Sequence, residues 1–502
     1  MALLSKSLYT RGLQCEKSLW LKKYREDVLS PPSDDLESRL ENGNSIGKLA
    51  CELFTGGKRV SLEKDNIAEM VTQTKKYLQC GIETIYEATF EKDGVYVMVD
   101  ILHVNTQGNL ELYEVKSSSW NSKKKLKELS HYIDDLSIQH YVVSKCGYSV
   151  EKSSLILLNT DYIRGKELDI EQLFSKVDVT KSVEALQKNI SSNIQSFSQT
   201  LLDTENEPDC DIGWHCKHPY ECDALDYCWN RQKKIPSYSV FNIFTLTKES
   251  KALELYNQGI IKIEDIPKDF ALTQVQEALV SSWVENKAII KREEVQKFLD
   301  TLAYPLCHLD FETYSPSIPE FEGTKAFEQI PFQYSLHIEH ENGELEHREF
   351  LAKEGSDPRE SLVAQILKDI PKGVTTLAYH ASFEKGVIQR LAQVFPKKSE
   401  HLFALVDNIV DLEKPFSQRH YYLPQMQGKS SIKVILPILV PQMQKAYKEL
   451  ELIQNGGDAM SAFPKLVSLD EKEKEKYRKA LLAYCKLDTL AMVKVLAELR
   501  KV

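Results

Sequence analysis

The sequence predicts an α/β protein of several domains, and three observations carry that expectation. Thr84–Lys116 reads as three consecutive strands with helical stretches on either side. A second strand-forming block opens at Ala303 and passes into helices again, and a dense run of cysteines lies between the two blocks. At 502 residues the chain has room for two to four domains, each with a core of its own. The expected division is 1–232, 233–302 and 303–502.

Composition narrows the class. An apolar content of 42% with 27% charged residues describes an ordinary soluble protein. No run of about 18 apolar residues occurs, so no membrane-spanning helix is expected. The opening MALLSKSLYTRGLQC lacks the apolar core of a secretory signal, which points to the cytoplasm and to no membrane partner. A net charge of −10 does not advertise a nucleic-acid binder, but it does not exclude one, because metal-binding carboxylates add negative charge. Lys123–Lys127 and Arg231–Lys234 are local basic runs, a pattern that usually means a solvated face.

Taken in order, the chain opens with two helices, Ser5–Glu26 and Leu36–Phe54. Cys15 falls in the first beside Leu13, Leu19 and Trp20, the setting of an ordinary core cysteine. Gly43 and Gly47 in the second would admit a backbone or a phosphate at close range. Thr84–Glu91, Val95–Val104 and Leu110–Lys116 follow as strands, separated by turns at Lys92–Gly94 and Thr106–Asn109. Glu114 and Lys116 share one face of the third strand, and Asp100 on the middle strand can meet them across the sheet. Two carboxylates can hold a divalent metal at a phosphodiester while an ammonium serves the attacking water or the developing charge. The plain alternative is a surface hairpin with an incidental Glu–Lys pair. Lys123–Ser144 then reads as a helix, Leu155–Leu158 as a buried strand and Ile170–Leu201 as one or two polar helices.

Asp100 with Glu114-x-Lys116 resembles the PD-(D/E)XK nuclease core in its RecB-like branch. The resemblance implies metal ligation by Asp100 and Glu114 with Lys116 assisting. Gln139, with Tyr141 close by, resembles the branch's downstream glutamine. Many members carry a metal-binding histidine in the second helix, which this sequence lacks. Glu87 on the first strand stands as the substitute ligand or as a partner to the ligands.

The ten cysteines are unevenly spread: Cys210, Cys216, Cys222 and Cys228 recur every six residues. In a cytosolic chain such a cluster argues for metal rather than disulfides. Soft thiolates suit both zinc and iron–sulfur clusters. The four could close a zinc site unaided, and His215 and His218 allow mixed ligation. The resemblance implies a different set. In the iron–sulfur members of the RecB-like branch, one early cysteine joins three late ones around a [4Fe–4S] cluster. Cys15, Cys216, Cys222 and Cys228 match that set, which leaves Cys210 spare.

Beyond a linker at Arg231–Pro236, Phe241–Leu302 is mostly helical. Its LELYNQGIIKIEDIP resembles a helix-hairpin-helix, although a structural connector explains it more simply. From Ala303 strand patterning returns, and Asp310 and Glu312 lie two apart on one strand, so both face the same way. Paired acids at a strand end can bridge two cations that clamp a transferring phosphoryl group. Thr375–Tyr379 reads as a buried strand, Glu384 begins a helix, and Tyr484 and Asp488 sit one turn apart on a last helix, Glu471–Leu499. That order of motifs resembles the DEDD exonucleases, with an RNase H-like fold and the tyrosine-bearing subtype. His380 and Glu384 stand where that family usually has Asn and Asp.

The combined layout resembles an uncharacterised bacterial family known mainly as a domain of unknown function. What the two resemblances imply is a metal-dependent nuclease using Mg²⁺ or Mn²⁺ on nucleic acid, DNA before RNA, with 3′→5′ direction at the second site. Asp310, Glu312, Glu384 and Asp488 would bind metal there, and Tyr484 would position water. The alternative from another class is a nucleic-acid-binding scaffold with one or both sites vestigial and a structural cysteine module. No protein partner is read from the sequence.

Overall fold

The computed structural model describes residues 4–32, 34–61 and 66–502; Met1–Leu3, at the head of the stretch read above for a leader, lie outside them. The architecture is mixed α/β. Two units are formed: Met1–Ile235 together with Ser317–Phe327, and Pro236–Pro316 together with Glu328–Val502.

The first unit begins with β1 (Leu4–Ser5), α1 (Lys6–Gln14) and α2 (Glu16–Tyr24). One continuous helix was expected here, but it breaks at Cys15, which is extended at φ −165° and ψ 118°. At the break Cys15 closes α1 and opens α2, its amide donating to the Arg11 carbonyl and its carbonyl accepting from the Leu19 amide, while its thiol lies 3.6 Å from Cys210. Next come α3 (Asp34–Ala50), β2 (Lys58–Arg59) and α4 (Ile67–Gln79). Among the described residues a Cβ at Gly43 or Gly47 would meet nothing within 4 Å, so no close approach among them requires either glycine.

The strands β3 (Thr84–Lys92), β4 (Val95–Val104) and β5 (Leu110–Trp120) begin where expected, and β5 runs on past Lys116 to Trp120. They are followed by α5 (Ser130–Lys145), β6 (Val150–Asn159), α6 (Ile170–Leu173), β7 (Phe174–Asp178) and α7 (Thr180–Thr200). The stretch expected to be wholly helical over Ile170–Leu201 thus contains a strand. Phe174 and Val177 are buried there while β7 pairs antiparallel with β6, so sheet packing overrides a polar composition. The sheet order is β2-β3-β4-β5-β6-β7. Strands β4 and β5 pair only over Ile101–Val104 and its partners, parting at Asp100, and β1 pairs in parallel with β4 at Val95 and Tyr96. That parting opens the sheet beside Asp100, and β1 delivers Lys6 to it.

The second unit opens with α8 (Val240–Ile243), α9 (Lys251–Asn257), α10 (Gln274–Val284), β8 (Ile289–Ile290) and α11 (Arg292–Leu299). The stretch read as a helix-hairpin-helix is α9, a turn at Gly259 (φ 79°) and a single 3₁₀ turn, Ile263–Asp265. Connector residues Tyr238, Val240, Leu255 and Val295 share one core with Phe416, Tyr422, Ile435 and Val495.

The sheet strands are β9 (Leu306–Tyr314), β10 (Ile330–Glu339) and β11 (Leu345–Leu351), then β12 (Thr376–Ala378) and β13 (Ile409–Asp411), in the order β11-β10-β9-β12-β13. Between and after them run α12 (Arg359–Asp369), α13 (Ser382–Val394), α14 (Ser399–Asp407), α15 (Lys414–Ser417), β14 (Tyr421–Tyr422), α16 (Ile432–Leu439), α17 (Gly456–Lys465) and α18 (Glu471–Leu499). The two faces of β9 serve different layers. Cys307, Leu309 and Phe311 pack with residues of α12, α13 and α14, while Leu306 on the other face packs with Met492 and Leu496 of α18. By the period of two, Asp310 and Glu312 fall on the α18 face. Asp470 caps α18 by accepting from the amides of Lys472 and Glu473, and Glu471 and Glu473 complement the helix dipole in the first turn. No helix among the described residues is long and apolar enough to cross a membrane.

Candidate functional site

An acidic cavity of about 500 Å³ lies in the second unit, lined by Asp310, Glu312, Glu384, Tyr484 and Asp488. All five residues expected from the sequence therefore meet in one place. Asp310 and Glu312 come from β9, Glu384 from the first turn of α13, and Tyr484 and Asp488 from the buried face of α18. Cys485 on α18 lies 3.6 Å from Asp310 Oδ2, and its thiol with the carboxylates of Asp310 and Glu312 forms a group close enough to share one cation.

Two further side chains join the site that the sequence reading had not singled out. Lys433 sets its Nζ 3.1 Å from the Tyr484 hydroxyl and lies over the rings of both Tyr447 and Tyr484 at 5.1 Å. It sits in the first turn of α16, where the helix dipole disfavours a cation. The acids opposite are what favour it. The Tyr447 hydroxyl donates to Asp488 Oδ1 at 2.6 Å. Neither residue belongs to a local motif; only the tertiary fold brings them in.

Burial, reinforced by mutual repulsion, pushes the carboxyls of Asp310 and Glu312 well above their ordinary range. Burial, with Asp411 nearby, pushes Glu384 up to about 8. Asp488 is raised too, by burial that its hydrogen bond from Tyr447 and the charge of Lys433 only partly offset. Among the described residues Glu384 Oε2 is buried with no hydrogen-bond partner. An unpartnered buried carboxylate oxygen among raised acids is the environment that a divalent cation relieves, so the residues present fit such an ion.

In the first unit Asp100, Glu114, Lys116 and Gln139 also come together, but the charges there are already matched. Glu114 is 1% exposed and accepts from Lys6 at 2.5 Å, from Lys116 at 2.8 Å and from Gln139 at 2.7 Å. Burial opposes its ionisation, yet Lys116 and Lys6 hold it down at about 2. Asp100 accepts the Val115 amide at 2.7 Å, and burial with Glu114 beside it lifts its carboxyl to about 7. Lys116 also pairs with Asp135. Glu87 has φ 58°, where the β3–β4 ladder skips from Tyr86 to Ala88, and its carboxylate pairs with Arg59 at 2.9 Å. Lys6 carried no sequence signal, since it reaches Glu114 across 108 positions, whereas Asp135 lies one turn before Gln139 on α5 and its spacing could have been read.

A third cluster, also in the first unit, gathers five thiols. Cys15, Cys210, Cys216, Cys222 and Cys228 line one small cavity with His215. Cys210, read as spare, lies 3.6 Å from Cys15 and 3.7 Å from His215 Nε2, which is itself 3.7 Å from Cys216. Its distance in the chain from Cys15 is undone by the break between α1 and α2. Hydrogen bonding to Cys210 and burial push the Cys15 thiol up to about 12, and the thiols of Cys15 and Cys216 raise His215 to about 10. This donor set of soft sulfurs fits an iron–sulfur cluster or zinc.

Residues 307–431, from β9 past β14, match a family described as a domain of unknown function, DUF2779. The chain is also similar to two curated proteins. "Uncharacterized protein MG366 homolog" of Mycoplasma pneumoniae is 23% identical over 494 residues, covering 86% of this chain and 73% of that protein. "Uncharacterized protein MG366" of Mycoplasma genitalium is 26% identical over 237 residues, covering 43% of this chain and 35% of that one. A solved structure described as "Crystal structure of SSO0001" is 16% identical, covering 41% of this chain and 92% of its own, with a TM-score of 0.17. A score so low carries no argument about the fold.

Proposed function

We propose that the chain is a metal-dependent nuclease whose working centre is the acidic cavity of the second unit. One observation carries the reading: four largely buried carboxylates, Asp310, Glu312, Glu384 and Asp488, surround one cavity that Glu413 also lines, with Lys433 as the one lysine or arginine among its lining residues. Ionising all four leaves a charge deficit that costs several kcal/mol per buried ion. Two divalent cations would match it, and such a pair supplies the Lewis acidity that clamps the attacking and leaving oxygens in phosphoryl transfer. Asp310 and Glu312 on the central strand, Glu384 and Asp488 would hold Mg²⁺ or Mn²⁺. Tyr484, fixed by Lys433, orients water, and the ammonium of Lys433 meets phosphate charge. The antiparallel β11-β10-β9 run, the parallel β9-β12-β13 run and α18 across the acidic face support the RNase H-like, DEDD reading; the 3′→5′ direction is carried over from that resemblance alone.

The arrangement of Asp100, Glu114 and Lys116 on β4 and β5 supports the PD-(D/E)XK reading of the first unit. A second reading is favoured there by one observation. Both oxygens of Glu114 are occupied by Lys6, Lys116 and Gln139, which suits a nucleic-acid-binding platform more than a second cutting site. Cys15, Cys216, Cys222 and Cys228 would hold a [4Fe–4S] cluster that ties the N-terminal helices to the end of the unit, and its reduced thiols suit a cytoplasmic protein.

The test is cleavage of end-labelled single- and double-stranded DNA and RNA by the full chain with Mg²⁺ or Mn²⁺. Activity on DNA ends should fall by roughly 10³-fold or more in Asp310→Ala, in keeping with loss of a metal clamp. Lys116→Ala should cleave at the wild-type rate if the first unit only binds. A metal-loaded wild-type chain that cleaves nothing would overturn the nuclease reading. Equal rates for wild type and Asp310→Ala would move the chemistry away from this cavity.

A further inference from the structure

Two residues lining the acidic cavity have no part in the reading above, His380 and Glu413. His380 follows β12 in the left-handed backbone region, φ 64°. That conformation is uncommon for any residue with a side chain and persists only where the surroundings enforce it. The enforcement is visible. The His380 amide donates to Asp411 Oδ1 at 3.1 Å, and the same oxygen accepts the Glu413 amide at 3.0 Å.

The side chains are tied as firmly. Glu413 Oε2 lies 2.8 Å from His380 Nδ1, and Glu413 Oε1 accepts from the Ser430 hydroxyl at 2.6 Å. The carbonyl of Ser430 in turn accepts from the Tyr379 hydroxyl. The Glu413 side chain is 15% exposed and the His380 side chain 70% exposed. A mostly buried, doubly hydrogen-bonded carboxylate therefore grips one nitrogen of an imidazole that is open to the cavity. A carboxylate at Nδ1 keeps the proton of the neutral ring there and leaves the lone pair on Nε2. An imidazole facing the cavity, held at its other nitrogen by an orienting carboxylate, is the geometry of proton transfer.

We propose that His380, oriented by Glu413, takes the proton of the attacking water during phosphodiester hydrolysis at this cavity. The inference rests on the nuclease reading of the same acids. The water oxygen forms the new bond to phosphorus as its proton passes to Nε2. The bond from phosphorus to the leaving sugar oxygen breaks with its electron pair, and that oxygen takes a proton from solvent. Glu413 stabilises the imidazolium, which returns its proton to solvent before the next turnover.

The experiment uses the full chain with Mn²⁺ and an end-labelled DNA oligonucleotide. His380→Gly suits the left-handed backbone and leaves room for a free imidazole molecule; His380→Asn also tolerates that backbone and serves as the second variant. Both should keep the wild-type melting temperature and Mn²⁺ stoichiometry. Both should lose roughly 10²–10⁴-fold in kcat with little change in KM, the range of a positioned base. Added imidazole should restore part of the rate of His380→Gly and none of that of Asp310→Asn. Glu413→Gln, which leaves the ring but weakens its anchor, should lose roughly 10–100-fold. Wild-type kcat in both His380 variants would overturn the proposal. Loss of Mn²⁺ from them would overturn it as well, making His380 a ligand, and so would a slow His380→Gly that imidazole does not rescue. A wild-type chain inert from the start removes the nuclease reading itself, an outcome told apart because no variant is then needed to see it.

Discussion

Glu384→Gln should make the metal-free protein more stable while destroying its response to metal. Glu384 is 2% exposed, and burial next to Asp411 raises its carboxyl from 4.5 to about 8. In the unfolded chain the group ionises near its ordinary value, so between pH 4.5 and 8 the folded state holds a proton that the unfolded state has released. Folding is then favoured by acid, and stability falls as pH rises through this window. At pH 7 the mismatch spans about 2.5 pH units, or about 3 kcal/mol, and at pH 5 only about 1 kcal/mol. Glutamine carries no such penalty. Calorimetry of the full chain in EDTA should show the variant's advantage growing from about 1 to about 3 kcal/mol between pH 5 and pH 7. At pH 7 this corresponds to a melting temperature roughly 6–12 °C higher for the second unit. Mn²⁺ at a hundredfold excess over its dissociation constant should add about 2.7 kcal/mol to the wild type and little to the variant, closing the gap. An advantage that does not change with pH, or a variant less stable than wild type at pH 7.5 without metal, would refute the account of a strained acid cluster.

Three other outcomes are expected. Lys433→Met keeps an apolar stem over Tyr447 and Tyr484 but removes the ammonium, so kcat/KM on DNA ends should fall by roughly 10²-fold; steady-state kinetics equal to wild type would exclude a role for that charge. Glu339, 15% exposed, is disfavoured as an anion by burial, but hydrogen bonds from His308 and Arg500 prevail and hold it at about 2 against an ordinary 4.5. Its contribution of about 3 kcal/mol is present above pH 4.5 and lost as pH falls toward 2, so urea midpoints of Glu339→Gln should lie below wild type at pH 7 and converge with it in acid. Anaerobically purified chain should contain iron and acid-labile sulfide and be brown. Cys15→Ser should lose both and Cys210→Ser should keep them, whereas a colourless protein whose single zinc depends on Cys210 would decide for zinc.

Much of the candidate chemistry was legible because it sits in local patterns. Asp310 with Glu312 and Tyr484 with Asp488 are pairs whose spacing within one strand or one helix fixes a shared face, and the structure gathers them around one cavity. The bounds of α18 coincide with the expected Glu471–Leu499 for the same reason: an acidic cap precedes a long buried stripe. Illegible features depend on distant pairings. Lys6 reaches Glu114 across 108 positions, and Lys433 reaches Tyr484 across 51. No window of sequence contains such a pair. Cys15 was misplaced in a helix interior because Leu19 and Trp20 continue the apolar period through a break that its thiol contacts, not its propensity, explain. Strand β7 was missed because only its pairing with β6 makes Phe174–Asp178 extended.

The membership of Ser317–Phe327 in the first unit has a consequence for how the molecule is made. Arg164 is bracketed by this segment: its amide donates to the Thr324 carbonyl at 2.9 Å, its carbonyl accepts from Gly323 at 2.8 Å, and its guanidinium reaches the Pro319 carbonyl at 2.7 Å. Ala326 completes a core with Ile46, Tyr86 and Ile156. A ribosome therefore finishes Met1–Ile235 without having supplied all of that unit, and must add Pro236–Pro316 of the other unit before the missing piece arrives. At about 5–20 residues per second the wait is on the order of ten seconds. During it, Ile46, Tyr86 and Ile156 lack one of their apolar neighbours, so a growing chain has reason to engage a chaperone at this point. A gene cut at residue 235 or at 303 would yield two products that each lack, or carry, a piece belonging to the other.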